Sequence, residues 1–245
     1  MTVASPFRGR LGIARAGYGQ IARAMLLAAM LALATAPMVD FLCLGWLSLP
    51  AFVLWFFRDP ERVVPPGEEL LLAPADGTVD DVESVDRCPF FEGPALRIGI
   101  YMSLLSVHVQ RAPLSARVIA SIARAGRRVA THRVGELDDN EQHVTVFAPR
   151  SAPETQVAVR QIAGPIARGI VNLLEPGQDI ERGARFGLIR FGSRVEVFIA
   201  QDLHPSLRVG RGARVRAGST VLADCAPVAN AAPVATSGSA TTRIA

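Results

Sequence analysis

Hydrophobic positions divide the chain into two regimes. From Ala24 to Phe57 the only charged residue is Asp40, placed just after Pro37 in the middle of the run. A bilayer core takes roughly 20 helical residues, so this stretch is too long for one straight span, while its halves, Ala24–Val39 and Phe41–Phe57, are each slightly short. The pattern predicts an apolar helical hairpin over residues 24–57 that enters and leaves on one side. A cleaved signal peptide has a shorter apolar core followed by polar chain, whereas here apolar residues continue through Trp46, Trp55, Phe56 and Phe57. A buried soluble hairpin is the other reading, and membrane insertion or deep interfacial binding is preferred over both. Residues 1–23 form a basic segment with Arg15 and Arg23, and Arg58 and Arg62 follow the hairpin. Positive flanks stay cytoplasmic, which predicts the inner (cell) membrane with the following domain on its cytoplasmic face. Trp55-Phe56-Phe57 beside Arg58 is expected at the lipid interface.

After Arg62 the pattern changes to short β-like runs broken by Pro and Gly: Leu70–Ala73, Leu96–Met102, Val144–Ala148, Gln156–Ala163, Phe186–Phe191 and Arg194–Ala200. This predicts a mainly β (α+β) globular domain over residues 58–224, with one candidate helix at Ile162–Leu173. Residues 225–245, rich in Ala, Pro, Ser and Thr, are expected to be a disordered tail. Leu72–Val79 and Val209–Leu222 share a form in which Val or Leu precedes a Gly-bearing turn and another Val follows. Both are similar to the turns of biotinyl/lipoyl-type hybrid β-folds.

Composition narrows the chemistry. The chain has 245 residues, half of them hydrophobic, which is ample for a core of ordinary domain size and excludes disorder throughout. A net charge of +4 without clustered base-stacking aromatics argues for no nucleic-acid partner. Cys43, Cys88 and Cys225 are widely spaced and odd in number, indicating neither a disulfide framework nor a metal site. All 26 basic residues are arginine. Without a lysine amine, lysine Schiff bases, covalently held pyridoxal phosphate, biotinylation and lipoylation are excluded, so the hybrid-type turns cannot carry a swinging arm.

Three residues could do chemistry. Asp76 lies in Pro74-Ala75-Asp76-Gly77, a tight turn in which Asp usually bonds a nearby backbone amide. His108 sits between Val107 and Val109, where a histidine is more often structural than catalytic. Ser193 in Phe191-Gly192-Ser193-Arg194-Val195 shares a strand face with Val195, Val197 and Ile199, an unusual place for a hydroxyl, with Arg194 and Glu196 opposite. A small residue for close packing is the alternative. Ser, His and Asp on separate segments do not by themselves make a triad.

Together these segments resemble the phosphatidylserine decarboxylase family, in its short bacterial and archaeal branch. The resemblance runs in order through Phe56–Arg62, Pro74–Gly77, Met102-Ser103 with Val107-His108-Val109 and Arg111-Ala112-Pro113, then Asn140-Glu141, Gln161–Gly164 with Ala167-Arg168, and Phe191–Val195. It implies a proenzyme that cuts itself between Gly192 and Ser193. Asp76 would orient His108, and His108 would take the proton of Ser193. The cofactor would be a pyruvoyl group derived from Ser193, leaving α and β chains as a heterodimer. The substrate would be phosphatidylserine in a lipid bilayer, converted to phosphatidylethanolamine and carbon dioxide, with His108 supplying the later proton. A pyruvoyl carbonyl engages the substrate's own amine and needs no lysine, which suits this composition. Arg58, Arg111 and Arg194 are the candidates for binding the substrate phosphate.

The chain departs from the family in two places. Leu105-Ser106 stands where an acidic residue is common, and Arg111 stands near a second histidine of the longer branch. Gly218-Ser219 resembles that branch's cleavage site but occupies a late turn, so Gly192-Ser193 is preferred. A membrane-anchored serine hydrolase that does not cut itself, and a membrane-tethered hybrid-fold adaptor, are the competing readings; the adaptor lacks the sustained heptads its class carries. If the family reading holds, Asp76, His108 and Ser193 should lie within hydrogen-bonding reach.

Overall fold

Two apolar helices, α1 (Tyr18–Thr35) and α2 (Ser48–Phe56), pack on each other ahead of a β domain in the computed structural model, which describes residues 12–35, 45–127, 134–167, 169–191 and 193–225. Asp40, Cys43, Arg168, Gly192 and residues 226–245 lie outside the described residues, and with them most of the expected tail. The base of the hairpin is closed by main-chain bonds. Ala14 N–H donates to Phe57 O at 2.8 Å and Asp59 N–H to Gly12 O at 2.6 Å. The Phe57 ring lies directly on Gly17, where any side chain would collide with it.

The helical stretch Arg15–Thr35, 21 residues, is long and apolar enough to cross a membrane. It begins within the segment read as a basic N-terminal region. Its outward face exposes Met25, Leu26, Met30 and Leu33, and α2 exposes Leu54 and Trp55. So much apolar side chain turned away from the protein is stable against lipid and costly in water, and the protein is membrane-associated. On the inner side Ile21, Ala24, Val53, Phe56 and Phe57 pack against Val107, Val109 and Leu188 of the β domain.

The β domain holds an eight-stranded sheet of order β13-β2-β3-β11-β7-β6-β5-β9. Its strands are β2 (Gly77–Val85), β3 (Ala95–Met102), β5 (Ala116–Arg124), β6 (Gln142–Pro149), β7 (Val157–Ala163), β9 (Asp179–Ile180), β11 (Ser193–Ala200) and β13 (Arg214–Val215). A three-stranded sheet joins β4 (Val109–Arg111), β10 (Arg185–Ile189) and β8 (Ile170–Asn172). Another joins β1 (Leu70–Leu72), β14 (Val221–Asp224) and β12 (Ser206–Leu207). The mainly β expectation is met.

The helix expected at Ile162–Leu173 is absent. Ile162 belongs to β7 and Ile170–Asn172 form β8. Pro165 has no N–H to donate and disfavours the α conformation at Gly164, and the β-branched Ile162, Ile170 and Val171 suit strands on either side. The two hybrid-type turns lie against one another: Gly77 pairs with Val215, and Thr78 with Arg214. Ala73 N–H donates to Thr220 O at 2.8 Å and Gly218 N–H to Ala73 O at 2.9 Å.

Candidate active site

Ser193 opens β11, the strand between β3 and β7, and pairs with Met102 on one side and Ala163 on the other. Strand alternation turns its side chain into the main core with Val195, Val197 and Ile199, where it is fully buried. Its hydroxyl donates to Met102 Sδ at 3.3 Å. A thioether is a weak acceptor, so the hydroxyl loses little by turning to another.

His108 ends the turn that follows Met102 and immediately precedes β4. Its Nδ1 lies 2.9 Å from the carbonyl oxygen of Ser106 and can only donate there, which leaves Nε2 as the unprotonated nitrogen. Nε2 is buried and has no hydrogen-bond partner among the described residues. Burial pushes the imidazole down to about 4; the Arg58 charge adds to this and the Ser106 carbonyl opposes it. A neutral imidazole with a lone pair free at Nε2 is the form a general base requires.

Phe191, two residues before Ser193, has φ 64°. A bulky side chain in the left-handed region costs about 1–3 kcal/mol and persists only when its surroundings hold it there. The surroundings are aromatic. The Phe56 ring stacks on Phe191 at 4.4 Å between centroids and lies tilted against His108 at 4.3 Å, and the Phe57 ring meets Phe191 edge-on at 5.9 Å. Phe56 and Phe57 are therefore inside the protein, not at the lipid interface, where of the three aromatics only Trp55 is exposed.

Asp76 joins neither His108 nor Ser193 by a hydrogen bond. Its Oδ1 accepts the Ala217 N–H at 2.8 Å and its Oδ2 the Arg62 guanidinium at 2.7 Å. Burial raises its pKa, while Ala217 and Arg62 pull it back. The expected three-residue hydrogen-bonded array is thus not formed, although the residues share one end of the sheet. Thr78 pairs with Tyr101, Ser193 with Met102, and His108 closes the turn beyond.

The three candidate arginines separate sharply. Arg194 is fully buried on the face of β11 opposite Ser193, ion-paired with Asp80 and with Glu196 at 3.0 Å. Arg160 also reaches Glu196, at 3.3 Å. Arg111 is buried too, donating to Gly183 O at 3.0 Å and to Asp59 at 3.3 Å, while Arg185 takes the other Asp59 oxygen at 2.6 Å. The Arg194 and Arg111 guanidiniums are thus engaged by partners inside the protein, and neither lines the cavity at Arg58. Arg58 alone of the three lines a cavity of about 470 Å³, beside Asp76, Tyr101, Ser103, Arg214 and Arg216. Its guanidinium lies over the Trp55 ring at 3.8 Å and donates to Leu105 O at 2.6 Å. Sequence reasoning did not single out Arg214 and Arg216, because the hybrid-type turn that holds them speaks of fold alone and only pairing of β13 with β2 brings them to Arg58.

Residues 49–223 match the family model described as phosphatidylserine decarboxylase. A phosphatidylserine decarboxylase proenzyme from Desulfotalea psychrophila is 41% identical over 169 residues, covering 69% of this chain and 78% of the relative. One from Magnetococcus marinus is 36% identical over 175 residues, covering 68% and 79%. The chain belongs to the phosphatidylserine decarboxylase family. The matched region starts within α2 and contains Arg58, Asp76, His108, Ser193 and both turn arginines, so the cavity and the aromatic stack are parts of a decarboxylase.

Ser193 suits the origin of a pyruvoyl group. It is buried on an apolar face, donates to a weak acceptor, and stands two residues after a strained one; a dry site protects an ester formed there from hydrolysis.

Proposed function

We propose that this phosphatidylserine decarboxylase cuts itself at the bond between Gly192 and Ser193, with His108 as the base. The supporting observation is the buried Nε2 of His108, unpartnered among the described residues, on a ring that touches Phe56 as Phe191 does. Ser193 Oγ leaves Met102 Sδ, gives its proton to that nitrogen and attacks the Gly192 carbonyl carbon. The C–N bond breaks, an ester joins Gly192 to Oγ, and the proton goes to the freed amine. Loss of the Cα proton then expels the Gly192 carboxylate from Cβ, and water releases the nitrogen as ammonia. The β chain ends at Gly192 and the α chain begins with the pyruvoyl group.

That group supplies the electron sink for decarboxylating phosphatidylserine to phosphatidylethanolamine. The cavity at Arg58, Arg214 and Arg216 receives the anionic head group, three guanidiniums suiting a phosphate and a carboxylate. His108 relays the proton that the substrate carbon needs once carbon dioxide has left. Asp76 acts through the turn it anchors and through its charge at the cavity wall. The hairpin keeps the enzyme where its diacyl substrate resides, at the cytoplasmic face of the inner membrane, with arginines at the hairpin's base.

Intact mass and denaturing gels of the wild type beside Ser193→Ala test this. Wild type gives two chains, the smaller running from 193 to 245 with a blocked N-terminus, and the variant gives one. An active enzyme that is one unbroken chain, or is cut at Gly218-Ser219, would overturn it.

A further inference from the structure

Phe56 has no role in the chemistry above, yet it is a large side chain, fully buried, in ring contact with both reacting segments. His108, tilted by 32°, and Phe191, stacked at 26°, both have ring centres within 4.4 Å of that of Phe56. We infer that Phe56 is a positioning residue for self-cleavage, holding the base and Phe191, the residue next to Gly192, against one ring, so that maturation depends on the seating of the apolar hairpin. This rests on the assignment of the cut to Gly192-Ser193.

The left-handed φ of Phe191 has no local support, since a Phe gains nothing there that Gly or Asn would not gain more cheaply. The flat contact with Phe56 and the edge contact with Phe57 are what oppose its return to negative φ. Such a return would re-aim the peptide that follows, and with it the carbonyl carbon to be attacked. The imidazole, in turn, is fixed at one nitrogen by Ser106 and on one face by Phe56, so its free nitrogen has a set direction.

The stack is also tied to the hairpin. Phe56 is the last residue of α2, and the next residue bonds Ala14 through its carbonyl and lies on Gly17. Phe56 therefore reaches its place only when the chain before α1 and the chain after α2 have closed. The cut would then wait for the anchor to fold.

The test is the rate at which the α chain appears when the full-length protein is synthesised without cells in the presence of phosphatidylglycerol–phosphatidylcholine vesicles. Phe56→Leu keeps the apolar bulk and loses the flat face; it should slow cleavage at least tenfold. Phe56→Tyr keeps a ring and should restore most of the rate, and Leu54→Ala, on the exposed side of the same helix, should match wild type. Phe191→Leu should slow cleavage as Phe56→Leu does, and decides the matter should Phe56→Leu fail to fold. Wild-type cleavage rates in either leucine variant, or a Tyr variant as slow as the Leu variant, would overturn the proposal. A wild-type α chain whose mass places the cut at another bond would sink the Ser193 assignment instead, before any variant is compared.

Discussion

Asp76 Oδ1 accepts the main-chain N–H of Ala217 at 2.8 Å, so the acidic residue of one hybrid-type turn holds the backbone of the other. Its remaining oxygen pairs with Arg62, and both side chains are mostly buried. Asp76→Ala leaves a buried amide unsatisfied and a guanidinium unpaired, and should cost about 1–3 kcal/mol. Asp76→Asn keeps an acceptor for Ala217 and should cost less. Urea unfolding of both variants in a Ser193→Ala background, which stays one chain, measures this.

His108 should make stability depend on pH. Its ordinary value of 6.5 in the unfolded chain falls to about 4 in the fold, so between those values the unfolded state binds more protons. Stability is full above about pH 6.5 and declines as pH drops towards 4, by up to a few kcal/mol. Replacing His108 with Gln in the Ser193→Ala protein should flatten this part of the urea-midpoint profile. As a base, the same imidazole should support self-cleavage with little loss down to about pH 5, and an acid limb centred near 6.5 would contradict its burial.

Arg194 and Glu196 face away from Ser193, and removing one partner of a buried ion pair costs about 3–5 kcal/mol. Arg194→Met should therefore lower the urea midpoint while leaving the KM for phosphatidylserine within about twofold of wild type, a negligible free-energy difference. A raised KM with unaltered stability would instead restore its reading as a phosphate ligand.

Arg214 and Arg216 should behave in the opposite way. Their double replacement by Gln removes two charges from the cavity wall and should raise KM by about tenfold, equivalent to about 1.4 kcal/mol, with kcat changed far less. Steady-state assays in mixed micelles at two salt concentrations check this, because a lost charge contact also weakens the salt dependence.

The strands that carry Ser193 and its neighbours were legible in one dimension. Alternation of Val195, Val197 and Ile199 with Arg194 and Glu196 is a local, period-two property, and it correctly placed the hydroxyl on the apolar face. The same period says nothing about what lies opposite. Alternation put Arg194 opposite the apolar face, but that its partner there is Asp80, from β2 two strands away, is a matter of sheet order. Arg111 likewise has Asp59 and Gly183 as partners, from segments far from it in the chain. The failed helix at Ile162–Leu173 was a misjudged period, in which Pro165 should have outweighed the apolar spacing.

By itself the sequence determined the apolar hairpin, the mainly β domain, the absence of any lysine amine and the identity of the Ser193, His108 and Asp76 segments. All of these are written in residue type, order and local spacing. Tertiary structure decided that Asp76 bonds a turn and not the imidazole, that Phe56 points inward onto both His108 and Phe191, and that Arg58 meets Arg214 and Arg216 around one cavity. Those outcomes depend on partners remote in the chain, and a side chain's burial and charge environment exist only once the strands that surround it have paired.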